Sequence, residues 1–403
     1  MPDTPGISFV MGRRKMDQLL ANVAEFMGPL LLGVVVTTLV EAVTGKGWGL
    51  IVRQRFKRRA ARQLAAIGSG AELIRRGDEA LYVFQYVPAG WRHDDVHFNE
   101  MPKRDLRTEL AKVPASVLDL DVDAVLAAIE AERQRLADHS IADWNGPSLG
   151  VEMVRTSTRT QVHERPVLVV SVTPSDHAAA QVCSNLWRKS FDENLVGLSR
   201  DGDELSSLIP GMVHAVGLNA TLVTDDDQLV LVRRSVHASS GRGGWHISVN
   251  EGMQRSDTGV GHLPDPHVGL VRGAEEELGI TIEPRYARFH TAMLDVRRYQ
   301  FGLLGHIDLK GTGITAADIA GARIAGQSKD KQENRSIEMV PWKFEPVMQK
   351  LREPDWIAHG WLNLVLSASA AFPHKTAEFQ GLLGEHRRRT TAGARGAQPV
   401  QSI

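Results

Sequence analysis

The residues best suited to chemistry lie in one run of nine, Arg272-Gly273-Ala274-Glu275-Glu276-Glu277-Leu278-Gly279-Ile280. An arginine beside adjacent carboxylates suits a hard divalent cation, because Mg²⁺ takes oxygen ligands and few of them from protein. Such a site needs a short helix to aim the carboxylates. Asp265-Pro266 reads as an N-cap followed by proline in the first turn, and Gly279 as the C-terminal stop. About three and a half turns lie between them. At about 100° per residue, Val271, Ala274 and Leu278 share one face, and Arg272, Glu276 and Glu277 fall on the other. The same residues also make an ordinary solvated helix face with an Arg272–Glu276 ion pair. The flanking elements therefore carry the decision.

Before the helix, Ala220 to Arg234 alternates apolar and polar residues around an acidic turn, Asp225 to Asp227, and predicts a strand–turn–strand. After it, Ala287 to Val296 and Tyr299 to Leu309 read as strands, Ile337 to Trp342 as another, and Trp356 to Phe372 as a closing helix. The expected architecture is α+β, a mixed sheet between helices.

The run resembles the Nudix box of nucleoside-diphosphate-linked hydrolases, whose helical half reads R-E-U-x-E-E-x-G-U with U apolar. Arg272, Ala274, Glu276, Glu277, Gly279 and Ile280 sit on its positions. Gly273 departs from it, because that position is a glutamate in the family, a metal ligand and often the general base. Upstream, Pro264 stands at the expected glutamate and Thr258 at the expected glycine. Trp245 begins His-Ile-Ser-Val-Asn-Glu-Gly-Met, where many relatives have W-x-x-P-G-G. The resemblance covers about residues 211 to 372 and implies the Nudix α/β/α sandwich. It also implies Mg²⁺ or Mn²⁺ on Glu276 and Glu277, the shell completed near Asn250, and Arg272 fixing the carboxylates. Glu251 and Glu338 are the candidate replacements for the carboxylate missing at Gly273. Ser240-Gly-Arg-Gly-Gly244 lets backbone N–H groups approach a phosphate, with Arg242 as counter-charge and Trp245 beside it as substrate contacts. His246, His262 and His267 lie nearby and read as loop or surface histidines rather than ligands.

The chain has 403 residues, 42% hydrophobic and 24% charged, which are globular values with room for two or three domains. A formal net charge of −1 gives no reason to expect a specific nucleic-acid partner. The lone Cys183 cannot form an intramolecular disulfide and fits a reducing compartment. One segment breaks the soluble pattern. Met27 to Val43 is apolar with a single charge, Glu41, against the roughly 20 residues a bilayer span takes. Arg53, Arg55, Lys57, Arg58, Arg59 and Arg62 outweigh Arg13, Arg14 and Lys15. The larger C-terminal part is thus expected on the cytoplasmic side of the inner membrane, on a single-pass anchor.

The expected order is a lead-in (1–26), a transmembrane helix (27–46), a basic juxtamembrane helix or linker (47–78), an α+β module (79–205), the Nudix-like domain (206–375) and a disordered tail (376–403). Within 79–205, Ala80 to Val87 and Pro166 to Thr173 read as strands, Val122 to His139 as a helix, and Ser175 or Asp176 as the cap of another helix to about Lys189. Thr173-Pro-Ser-Asp-His177 suggests a Ser/His pair, but neighbours in a cap rarely hold triad geometry, so capping is the reading taken. Three functions follow: hydrolysis of a nucleoside diphosphate linked to another moiety at the membrane face, nucleotide sensing by a catalytically degenerate domain in bacterial signalling defence, and a structural anchor. The expected partners are a nucleotide-type small molecule, the lipid bilayer and a second copy of the chain.

Overall fold

The computed structural model describes residues 72–76, 79–115, 117–138, 146–158, 166–193, 208–209, 211–236, 241–328 and 334–384. The expected membrane segment at 27–46 and everything else before residue 72 lie outside the described residues. Among the described residues no helix is long and apolar enough to cross a membrane.

The strands run β1 (Glu72–Arg76), β2 (Glu79–Trp91) and β3 (Val96–Glu100), followed by helices α1 (Leu106–Leu110) and α2 (Val122–Asp138). Next come β4 (Pro147–Thr158), β5 (Pro166–Asp176) and α3 (His177–Asp192). The hairpin β6 (Val216–Val223) and β7 (Gln228–Arg234) leads to β8 (Trp245–Ile247), β9 (Val249–Gly252) and α4 (Pro266–Leu278). Then β10 (Ala287–Asp295), β11 (Gln300–Asp308), α5 (Ala316–Ile324), β12 (Asn334–Pro341), α6 (Phe344–Leu351) and α7 (Ala358–Ala371) complete the order.

The large sheet has the order β1-β2-β10-β11-β6-β7-β12, with β8 on β7 and β9 on β6. It is mixed, because β6 and β11 are parallel while its other pairs are antiparallel. A three-stranded sheet, β3-β5-β4, carries α2 and α3. The stretch 79–205 is therefore divided: β2 belongs to the large sheet, and β3 to β5 make the small one. The run from 72 to 76, expected as the end of a basic helix or linker, is strand β1. Its Ile74 is buried, a position a strand edge on β2 supplies. All of this lies in one compact unit, Leu64–Ile403.

Period-two alternation explains the two cores. In β7, Leu229 and Leu231 join the cluster beneath α7, with Trp361, Leu362 and Val365. Val230 joins the opposite cluster with Leu218, Leu270, Ala274 and Leu278, where α4 packs. Both faces of the sheet are thus covered by helix. Residues 376–384 are also helical and bury Phe379 and Leu383, four apart, so the disordered tail does not begin at 376.

Helix α4 follows the cap reading. Asp265 accepts from the His267 N–H at 2.9 Å, Pro266 opens the first turn, and Gly279 ends the helix at φ 74°. Its inward face, however, differs from the sequence expectation. Gly269, Gly273 and Glu277, four apart, all face the sheet and are buried. A Cβ on Gly269 would press on Leu218 and Asp257, and one on Gly273 on Val249 and Glu251. The two glycines cost about 1 kcal/mol each in helix propensity, and they let α4 lie close on β6 and β9.

Candidate active site

A cavity of about 300 Å³ opens where the N-terminal ends of β6 and β11 meet β9 and the start of α7. One wall is acidic, with Glu251 and Glu277. Facing groups include Arg234, Arg298, His246 and His359, and α3 contributes His177 and Gln181. Helix α3 is held there because the Trp187 indole N–H donates to the Val296 carbonyl at 2.8 Å and its ring packs 4.1 Å from that of Tyr299.

Glu277 is almost wholly buried at the end of the glycine stripe. Its carboxyl accepts from the Asn250 N–H at 2.7 Å and from Asn334 Nδ2 at 3.0 Å. Burial, then the nearby Glu251 charge, hold it well above the usual carboxylate range, against the pull of those hydrogen bonds and Arg234. Glu251 rises from β9 over the bare backbone of Gly273, accepts from the Gly252 N–H at 2.8 Å and lies 3.3 Å from Arg272 Nη1. Burial pushes it up to about 7 despite that arginine, with Glu276 adding repulsion.

Arg272 is clamped rather than free. It gives Asp257 two bonds (2.9 and 3.0 Å), Glu276 one at 2.8 Å and the Gly252 carbonyl one at 2.7 Å. Asp257, which sequence reasoning passed over, is 2% exposed and also accepts from the Gln254 N–H. Burial works against the Arg272 charge, and the bonds to Asp257 with its three carboxylate neighbours more than reverse this, raising its pKa. A half-buried arginine needs counter-charge close by, and that requirement is the signal by which Asp257 was open to finding.

The remaining expected site residues are dispersed. Glu276 is held by Arg272 and does not line the cavity. Glu338 lies on β12 and bonds Lys350 Nζ at 2.7 Å, away from the cavity. Trp245 is core, 9% exposed, beneath Lys350 Nζ at 3.5 Å and the Arg233 guanidinium at 4.9 Å from its ring centre. Arg242 is exposed, and the cavity meets Gly241 instead. Asn250 lines the cavity, its N–H spent on Glu277. Asp176 caps α3 as read, accepting from the Ala179 N–H, while Ser175 Oγ meets His214 Nδ1 at 3.0 Å rather than His177.

The cavity also holds a histidine pair. His246 Nδ1 donates to the Ile247 carbonyl, so its Nε2 accepts from His359 Nε2, 2.8 Å away. Burial keeps both neutral, His359 lowered to about 4 and His246 well below its ordinary value. With both its nitrogens committed, His246 has no lone pair left for a metal. His267 is buried edge-on against Phe289, and His262 is exposed in a left-handed turn. Arg298 reaches Asp295 at 2.7 Å and Glu79 at 2.9 Å, yet its buried Nε has no partner among the described residues. Asn219 Oδ1 on the same wall is likewise unpartnered.

Among the described residues no group of three or more His, Cys, Asp or Glu side chains forms a metal cage. Burial and the nearby Glu251 charge nevertheless raise the proton affinity of Glu277 at the cavity wall, where a divalent cation would relieve both. Two carboxylates fit Mg²⁺, which keeps waters and takes further oxygens from a substrate phosphate.

No protein-family model and no curated protein matches the chain. Among solved structures it is similar to a MutT/nudix family protein from Enterococcus faecalis, at 12% identity over 31% of this chain and 43% of that one, with a TM-score of 0.23. It is also similar to a MutT protein from Methanosarcina mazei Go1, at 15% identity over 37% and 89%, TM-score 0.25. A Deinococcus radiodurans protein follows at 21% identity over 29% and 78%, TM-score 0.19. The chain spans less than half the length of the Enterococcus protein.

Proposed function

We propose that the chain hydrolyses a nucleoside diphosphate linked to a second moiety, in the presence of Mg²⁺ or Mn²⁺. The observation that carries this reading is Glu251, its Cβ and Cγ packed over Gly273, sharing with buried Glu277 the wall of a cavity that Arg234 and Arg298 also line. The carboxylate absent from the helix is offered by the neighbouring strand.

In this reading Glu277 and Asn250 would hold the ion, which when bound would neutralise phosphate charge and polarise the phosphorus. Arg272 stays with Asp257 and Glu276 and keeps the Gly252 carbonyl and the Glu251 carboxyl in register. Glu251, with a proton affinity near neutrality, takes the proton from water as the water oxygen bonds to phosphorus and the bridging P–O bond breaks. Arg234 and Arg298 meet the anionic oxygens. The neutral histidine pair leaves the cavity without further positive charge at that wall.

A second reading, nucleotide binding without turnover, is favoured by one fact: Glu276 is spent on Arg272, leaving Glu251 and Glu277 as the carboxyls of the acidic wall, while Asp295 at the cavity is held by Arg298. A screen of dinucleotides and nucleotide sugars with Mg²⁺ and Mn²⁺ separates the two. Monophosphate products that appear only with the metal are expected. Tight binding with no products would select the sensor.

A further inference from the structure

A second cavity, about 410 Å³, lies at the other end of the large sheet. The first meets β6 at Val216 to Asn219 and β11 at Gln300 to Gly302. The second meets the same strands at Val223 and at His306 to Asp308, and reaches the last turn of α7. Its volume falls within the range of small-molecule sites, about 300–1,000 Å³.

Its walls are chemically specific. Trp342 is half-buried; its backbone N–H donates to the Asp227 carbonyl at 2.8 Å, and its ring packs 5.3 Å from that of Phe372. The His306 ring lies nearly parallel to it, at 28° and 6.0 Å between centres. His306 Nδ1 is buried and has no hydrogen-bond partner among the described residues. Asp308, also in the lining, accepts from the Lys310 backbone N–H at 3.1 Å, and two further polar groups are committed. His290 uses both nitrogens, on Thr291 at 2.9 Å and Ser367 at 3.1 Å, and Lys310 pairs with Asp227 at 2.9 Å. Arg288, exposed at the rim, makes no ion pair among the described residues.

A fixed aromatic face, one unsatisfied ring nitrogen beside it and an unpaired guanidinium describe a single ligand chemistry. The ring would stack on Trp342, a polar edge atom would meet His306 Nδ1, and an anionic group would meet Arg288. We infer that this cavity binds a flat heteroaromatic ring carrying a phosphate, such as a purine mononucleotide, at a site separate from the candidate active site. The inference does not depend on hydrolysis at the first cavity.

The test uses AMP as the probe on the full chain, by calorimetry, with 8-azido-AMP photo-crosslinks mapped by mass spectrometry. Adenosine and ribose 5-phosphate serve as the ring-only and phosphate-only arms, and each should bind more weakly than AMP. Crosslinks are expected on the peptides carrying Arg288, His306 or Trp342, and binding should survive Glu277→Gln. Trp342→Leu should weaken AMP about tenfold or more, as loss of a stacking platform does. Arg288→Ala, an exposed change that leaves the core untouched, should erase the advantage of AMP over adenosine even if Trp342→Leu fails to fold. Crosslinks confined to the cavity of Glu277, AMP binding unaffected by Arg288→Ala, or no binding at all would overturn the inference.

Discussion

Gly273 and Glu251 occupy one space between them: a Cβ added to Gly273 would stand 2.9 Å from Glu251 Cβ and 3.1 Å from its Cγ. The strand carboxylate is where it is because the helix offers no side chain there. The glycine at position 273 and the rise of Glu251 over α4 are therefore one feature.

That relation sets the outcome at residue 273. Gly273→Ala gains about 1 kcal/mol of helix propensity but meets Glu251 and Val249, an overpacking that costs about 1–3 kcal/mol. A net loss of up to about 2 kcal/mol is expected in urea denaturation, from those two terms. Gly273→Glu alone should lower both stability and turnover. The exchange Gly273→Glu with Glu251→Gly should recover part of each, and a double variant no better than the single would refute shared occupancy.

Substitutions of the carboxyls should separate sharply. Glu251→Gln and Glu277→Gln should each lower turnover by at least about 100-fold, the scale of a lost general base or charge stabiliser. Glu276→Gln acts by loosening Arg272 and should cost less. Glu338→Gln should leave turnover near that of the parent, since its partner is Lys350. Equal losses at Glu338 and Glu251 would count against the assignment.

Acid should destabilise the fold through its buried histidines. Burial lowers His290 to about 3 and His306 to about 4, against an ordinary value of 6.5. The folded pKa lies below the unfolded one, so the contribution is complete above about 6.5 and is lost as pH falls toward the folded value. For His290 the slope is about 1.4 kcal/mol per pH unit within that window. Glu251, raised to about 7, works the other way, its contribution fully present below 4.5 and lost as pH rises through 7. Denaturation at pH 7.5, 5.5 and 4.5 should show falling stability, with a flatter slope in His290→Gln. An unchanged slope in that variant would remove His290 from the account.

The apolar run from Met27 to Val43 makes a prediction of its own. The full chain should sediment with membranes and resist carbonate washing, and a chain lacking residues 1–60 should stay in the supernatant. Full-length protein in the supernatant would discard the anchor.

Local chemistry was legible in the sequence wherever it is decided within a turn or two. The Asp265 cap, the Gly279 stop, the hairpin around Asp225–Asp227 and helix α7 depend on spacing and φ preference, and the structure places each within a few residues. The inward direction of Glu277 was not legible. A helical wheel puts it with Arg272 and Glu276, but two glycines at the same face draw that edge of α4 against the sheet. Close approach depends on both partners, and only one of them lies in the helix.

From composition and spacing alone came a capped helix bearing an arginine and carboxylates, within a mixed α+β chain. Tertiary structure decided which of the candidate carboxylates, on that helix and on the strands, reach the first cavity. Glu277 and Glu251 do; Glu276 is held by Arg272, and Glu338 lies with Lys350. It also brought together Arg234, Arg298 and His359, which stand as far apart in sequence as β7 and α7. The physical reason is that side-chain direction follows from local backbone geometry, whereas convergence on a cavity follows from which strands pair and how closely a helix can pack on them.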